Sequence, residues 1–260
     1  MLTRARKPHA VQVPAELNPD TIRALENSVD QLIADGVGTI VLDCTKLAHI
    51  SSMHIGVIWS IHSRCDNLGV GVILNSVSQT LSRVLRILDL DKLLEINESV
   101  AASEKSSHLS QAGREAIAEF QARCKTDEES VAAVNDSFRE YIRSLELEKH
   151  QAIDLETVFY EVITNIKNHA DVTPGEYITV SARFNEQQLV LNFADPGMPF
   201  DPTRQRGSFN VVESLEIGQK NGFGLTMISR MTDKIEYSRS KDGVNLLSLT
   251  KLLAKDNNSV

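Results

Sequence analysis

The stretch Asp154–Ala170, DLETVFYEVITNIKNHA, decides how the second half of this chain is read. Phe159, Ile163 and Ile166 recur at helical spacing, while Glu161, Asn165 and His169 follow one another every fourth residue along the neighbouring edge. Residues four apart on an α-helix share a face, so the three polar groups are expected to line up beside an apolar stripe. A carboxylate and a carboxamide one turn apart do complementary work. The amide oxygen can ligate Mg²⁺, which prefers hard oxygen donors, and the carboxylate can orient or deprotonate a nucleophile. Taken singly, the pattern also fits an amphipathic helix with a polar edge.

Outward from this helix, the remaining residues of the second half alternate strands and helices. A strand is expected near Ile117 to Cys124, and a helix through Val131, Val134, Phe138 and Ile142. Tyr177 to Arg183 and Gln188 to Phe193 read as a hairpin around Asn185-Glu186. A long irregular stretch, Asp195 to Asn221, precedes a helix from Gly222 to Met231. Strands at Lys234–Ser238 and Asn245–Lys251 then flank the turn Lys241-Asp242-Gly243. This order favours an α+β sandwich with helices on one face of the sheet.

Two further elements in that half bear on chemistry. Asp195-Pro-Gly197-Met-Pro-Phe-Asp201 follows a strand. A carboxylate there can accept a hydrogen bond from an exocyclic amine, and Gly197 would let a flat ring approach the backbone. Alone, it is an ordinary turn. Gly222-Phe-Gly224-Leu225 opens a helix, where amide donors can meet a phosphate; alone, it is a turn before a helix.

Glu161-x-x-x-Asn165-x-x-x-His169-Ala170, Asp195-x-Gly197 and Gly222-x-Gly224, in that order, resemble the N, G1 and G2 boxes of the GHKL ATPase superfamily (the Bergerat fold) over residues 115–254. DPGMPFDP followed by NGFGLTMI is similar to the anti-sigma-factor serine kinases of bacterial partner-switching systems. The resemblance implies a kinase using ATP and Mg²⁺. Asn165 would hold the metal, Glu161 would activate the acceptor serine and Asp195 would contact adenine N6. Gly197, Gly222 and Gly224 would line the nucleotide, as would His169 on the helix of Glu161 and Asn165, and Lys220 would stand where the family often has a basic residue near the γ-phosphate. Arg204 and Arg206, in the lid, are further candidates.

The first ~96 residues read as an α/β domain. Ala10–Val13, Gly38–Cys44 and Gly71–Leu74 are expected strands. The helices are one capped by Asn18 with Pro19 in its first turn, one after Ser51-Ser52, and one over Ser78–Leu88. VLDCTKLAHISSMHIGVI (41–58), LGVGVIL (68–74) and SRVLRILDLDKLLEI (82–96) resemble a STAS domain of the anti-sigma-factor-antagonist type. Counting back from Gly56, the matching phosphoacceptor is Ser52. The family's Asp-Ser-Ser/Thr-Gly stretch reads Ser51-Ser52-Met53-His54 here, and His54 is expected in an exposed first turn.

The expected organisation is therefore a STAS-like domain over 1–96, a serine-rich linker over 97–114, a GHKL kinase domain over 115–254 and a tail over 255–260. The net charge of −8 comes mostly from the second half, and no basic block suggests nucleic acid as a partner. No apolar run reaches the ~18 residues of a membrane helix, and the basic N-terminus lacks a signal-peptide core, so a cytoplasmic protein is expected. Cys44, Cys65 and Cys124, without CxxC spacing, read as buried thiols. At 5% aromatic residues, Leu, Ile and Val are expected to fill the core. The substrate implied is a serine on a STAS-domain antagonist, in trans or on Ser52 itself, and the effector a sigma factor or another regulated protein. Relatives tend to form homodimers. The alternative is a non-catalytic ATP-binding scaffold in which the STAS domain gates partner binding.

Overall fold

A computed structural model describes residues 9–47, 49–98, 118–205 and 223–253. These fall into two compact units, the first made of the described residues up to 98 together with Phe223 and the second of the other described residues.

In the first unit every strand but the last is followed by a helix: β1 (His9–Gln12), α1 (Pro19–Ala34), β2 (Thr39–Asp43), α2 (Ser52–Asn67), β3 (Gly71–Val77), α3 (Gln79–Ile87) and β4 (Glu95–Glu98). The sheet runs β1-β2-β3-β4 with all neighbours parallel, the pairing that helical crossovers produce. Helix α1 starts where Asn18 accepts from the amides of Asp20 and Thr21 at 3.0 and 2.9 Å, while the Thr21 hydroxyl accepts from the Asn18 amide at 2.9 Å. Ile40, Leu42 and Leu74 of the sheet are buried, as are Val29, Ile55, Ile61, Leu81 and Leu85 of the helices. Strand β4 was not among the expected elements. In Glu-Ile-Asn-Glu only Ile96 is apolar, so no alternation marks it. Its last two residues, Asn97 and Glu98, fall within the stretch read as linker.

The second unit is an antiparallel sheet ordered β5-β6-β7-β9-β8. Its strands are β5 (Ala118–Cys124), β6 (Ile178–Phe184), β7 (Gln188–Asp195), β8 (Lys234–Arg239) and β9 (Asn245–Leu252). The helices are α4 (Glu128–Arg143), α5 (Lys149–His169) and α6 (Phe223–Met231). Alternation is clean along β7, where Leu189, Leu191, Phe193 and Asp195 point inward. The core here is not purely aliphatic, contrary to what composition suggested. Phe138 of α4 stacks on Phe159 of α5 at 3.9 Å between ring centroids, and Phe120 of β5 and Phe193 of β7 flank the pair. Few aromatics suffice because they are concentrated where two helices cross the sheet.

Helix α5 begins at Lys149, more than a turn before the expected Asp154. The Gln151 side-chain oxygen accepts from the Glu148 amide at 3.2 Å and starts the helix at the polar run Lys149-His150-Gln151. Asp154, 1% exposed, pairs with Lys251 of β9 at 3.1 Å and ties this helix to the sheet.

His54 corrects the reading of an exposed first turn: it is 2% exposed. Its Nδ1 lies 2.9 Å from Ser51 Oγ and accepts from the Ser51 amide at 3.3 Å, while Nε2 lies 3.2 Å from the Ala15 carbonyl oxygen. Two donors at Nδ1 and an acceptor at Nε2 suit the neutral ring protonated at Nε2. The side chain thus staples the start of α2 to the segment leading into α1. Burial outweighs the backbone carbonyls and pushes the imidazole down to about 4. All three cysteines are buried free thiols, with burial raising Cys44 to about 12 and Cys124 to about 11.

A histidine kept neutral when folded stabilises the fold fully above its unfolded pKa, and that stability is lost as pH falls from about 6.5 towards about 4. Chemical unfolding at pH 7 and pH 5 is expected to show the first unit weaker at pH 5 by about 2 kcal/mol. His54→Gln should be less stable at pH 7 but lose markedly less between the two pH values.

Candidate functional site

The site forms where three segments distant in sequence meet around α5. Glu161 is 1% exposed, and its Oε1 accepts a hydrogen bond from Asn165 Nδ2 at 3.2 Å. The expected shared face is therefore a direct contact. Because the amide nitrogen is committed to Glu161, the Asn165 oxygen is the end left for a cation. His169 sits exposed in the last turn.

Gly224, in the first turn of α6, lies against this pair. A Cβ built there would stand 2.1 Å from Glu161 Oε1 and 3.3 Å from Asn165 Nδ2, far inside contact distance. A glycine is required by this approach, so the backbone of the G2 segment touches the carboxylate of the N segment. Helix α6 is held in place by Met227, Ile228 and Met231, all buried.

The other end of α5 receives the turn after β7. Met198 N–H donates to the Ala170 carbonyl at 2.6 Å. A Cβ on Gly197 would fall 2.2 Å from that same oxygen. Asp195, 7% exposed, accepts the Gly197 amide on Oδ1 at 3.0 Å and thereby closes the turn. One helix thus carries Glu161 and Asn165 on its flank and the Asp195 turn on its C-terminus.

Sequence reasoning missed Asn245, the first residue of β9. It is 4% exposed and donates to Asp195 Oδ1 at 2.9 Å. The available signal was a polar residue at an inward position of a strand otherwise read as apolar. Tyr237 and Arg239 of β8 join it, and nothing in their own sequence context marks them. Lys220, Gly222 and Arg206 lie outside the described residues, as does the side chain of Arg204. Ser52 is the first residue of α2, half-buried, and belongs to the first unit.

Among the described residues no three His, Cys, Asp or Glu side chains gather as a metal cage. Mg²⁺ bound through one side-chain oxygen and substrate phosphates needs no such cage, and the Asn165 amide fits that mode. No helix among the described residues is long and apolar enough to cross a membrane.

Residues 124–251 match the histidine kinase-like ATPase domain family, and residues 3–103 match the STAS domain family. No curated protein matches the chain in sequence. Among solved structures, the RsbU and RsbW domains of Rv1364c from Mycobacterium tuberculosis are similar at 14% identity and a TM-score of 0.41, over 55% of this chain and 34% of that one. The SiaB-SiaC complex from Pseudomonas aeruginosa is similar at 16% identity and a TM-score of 0.37, over 53% of this chain and 91% of that one. The chain thus spans about a third of the first of these.

The two glycines predict different failures. Gly197→Ala drives a methyl into a backbone carbonyl that cannot rotate away, and is expected to lower the thermal stability of the second unit by about 1–3 kcal/mol. Gly224→Ala meets only the end of the Glu161 side chain and should leave a folded protein with displaced Glu161. Melting curves with nucleotide-dependent turnover check this. Gly224→Ala should melt near the wild type yet lose at least about tenfold in turnover.

Proposed function

A STAS domain over residues 3–103 is joined in this chain to a histidine kinase-like ATPase domain over residues 124–251, and we propose that the whole is an ATP-dependent protein serine kinase of a partner-switching system. The observation that carries the proposal is the buried Glu161 carboxylate, hydrogen-bonded to Asn165 and pressed against Gly224, on the helix whose C-terminus receives the Asp195 turn.

In this reading Asp195 accepts the adenine amine, and Gly197, whose missing side chain lets the turn close on Ala170, lines the base beside it. Asn165 would hold Mg²⁺ by its amide oxygen; the ion would neutralise charge on the phosphates. Amides at the start of α6, Gly224 among them, would face the phosphates, and the family resemblance assigns Gly222 to the same phosphates and Lys220 to the γ-phosphate. Glu161 accepts the proton of the attacking serine hydroxyl. The serine oxygen bonds to the γ-phosphorus as the bridging bond to the β-phosphate breaks, yielding phosphoserine and ADP.

The acceptor is assigned to a STAS-domain antagonist in another chain rather than to Ser52. Ser51, 5% exposed, is bound to His54 where the family has an acidic residue and a glycine, so the start of α2 is stapled rather than open. That favours a docking or gating role for the first domain, with a sigma factor or another regulated protein as the effector. The family resemblance also supports a cytoplasmic homodimer, with neither nucleic acid nor membrane as partner. The same staple would suit a non-catalytic scaffold, but retention of Glu161, Asn165 and Asp195 together favours the enzyme.

Separate measurements of Mg-ATP binding and of phosphate transfer to a STAS-domain protein test the roles. Glu161→Ala is expected to keep ATP affinity within about threefold while losing transfer by at least about a hundredfold. Asn165→Ala should weaken Mg-nucleotide binding itself. Equal loss of binding in both variants would contradict these assignments.

A further inference from the structure

Asp195, Asn245 and Arg239 stand in one row across three neighbouring strands. Asp195 of β7 pairs with Asn245 of β9, and Asn245 pairs on its other side with Arg239 of β8. The Asn245 amide oxygen accepts from the Tyr237 hydroxyl at 2.8 Å and from Arg239 Nη1. Its nitrogen faces three acceptors: Asp195 Oδ1 at 2.9 Å, the Met198 carbonyl at 3.0 Å and the Gly197 carbonyl at 3.3 Å. Arg239 Nη1 reaches the Gly197 carbonyl as well, at 3.0 Å. These partners allow one amide orientation. Flipped, the NH₂ would meet a guanidinium, and the oxygen would meet a carboxylate and two carbonyls.

We propose that Asn245, held by Tyr237 and Arg239, is the positioning residue that sets the base preference of the nucleotide site. It acts through Asp195 and the turn and does not itself touch the base; the assignment rests on the nucleotide site proposed above. Both amide hydrogens point to protein acceptors, which leaves none for a ligand. Among the described residues, both hydrogen bonds to the Asp195 carboxylate land on Oδ1, from Gly197 and from Asn245. Among the described residues Oδ2 has no donor. A carboxylate oxygen in that state suits the exocyclic amine of adenine, whereas the carbonyl of guanine would oppose it acceptor to acceptor. Anchoring Oδ1 therefore fixes which carboxylate oxygen is presented and in what direction. Anchoring the carbonyls of Gly197 and Met198 holds the rim of the turn beside it. Without Asn245, Asp195 keeps only the Gly197 bond and its carboxylate can rotate.

Binding of ATP and of GTP to the full chain, read by displacement of a fluorescent ATP analogue in Mg²⁺, tests the assignment alongside melting temperatures. Asn245→Val and Asn245→Thr have the same shape and differ by one hydroxyl able to donate to Asp195. Asn245→Val is expected to weaken ATP by about tenfold or more, as for loss of a hydrogen bond to a charged group, and to shrink the preference for ATP over GTP. Asn245→Thr should recover part of both. In turnover assays the loss should appear in the KM for ATP while kcat holds. Tyr237→Phe, which removes one donor from the network, should weaken ATP by about threefold without a change in melting temperature. Val and Thr variants with the same ATP affinity and the same base preference would overturn the proposal. If Asn245→Val does not fold, a Tyr237→Phe protein with unaltered ATP affinity would overturn it too. A wild-type chain that binds neither nucleotide would instead overturn the nucleotide site and this assignment with it.

Discussion

Two backbone approaches to helix α5 hold the candidate site together. At one, Gly224 comes so close to Glu161 that no side chain could stand between them. At the other, the Gly197 turn closes on the Ala170 carbonyl, with the Met198 amide bonded to it. Each brings a segment from a different part of the chain onto the same helix. Without the Gly197 approach Asp195 is no longer tied to the helix that carries Glu161 and Asn165, and without the Gly224 approach that pair loses its contact with α6.

The helix that receives these contacts must itself be rigid, and its anchoring is built from different chemistry along its length. Near its start, buried Asp154 is paired with Lys251 on β9. Deleting one partner of such a pair strands a buried charge, so it locates the helix even if it adds little net stability. In the middle, Phe159 lies between Phe138 and Phe193, a packed contact that fixes rotation about the helix axis. Rotation matters because Glu161 is only two residues further on. At the far end, the row Asp195–Asn245–Arg239 joins the turn to three strands. Fold and site thus share the same restraints.

Sequence alone revealed the parts whose chemistry is local. Glu161 and Asn165 were legible because helical spacing places them one turn apart, and Asn18 because a cap is a property of consecutive residues. What stayed hidden depends on partners far along the chain. His54 looked exposed because nothing near it in sequence announces the Ala15 carbonyl, 39 residues away, that buries its other nitrogen. Asn245 is bonded to a residue 50 positions earlier, and only strand order makes them neighbours. Strand β4 has one apolar residue and owes its place to pairing with β3. The first turn of α5 rests on a capping contact between Glu148 and Gln151 and not on hydrophobic period.

The central claim is that this site transfers phosphate to a serine on a separate STAS-domain protein. The most direct test is to incubate the full chain with Mg-ATP, alone and with a STAS-domain antagonist that retains the Asp-Ser-Ser/Thr-Gly stretch, and to read intact masses and phosphosites on both, with Ser52→Ala in parallel. One phosphate is expected on the antagonist serine and none on the chain. A phosphate on the chain that disappears in Ser52→Ala would contradict it by making the tethered STAS domain the substrate. A chain that binds ATP yet modifies no antagonist offered would contradict the kinase and leave the scaffold.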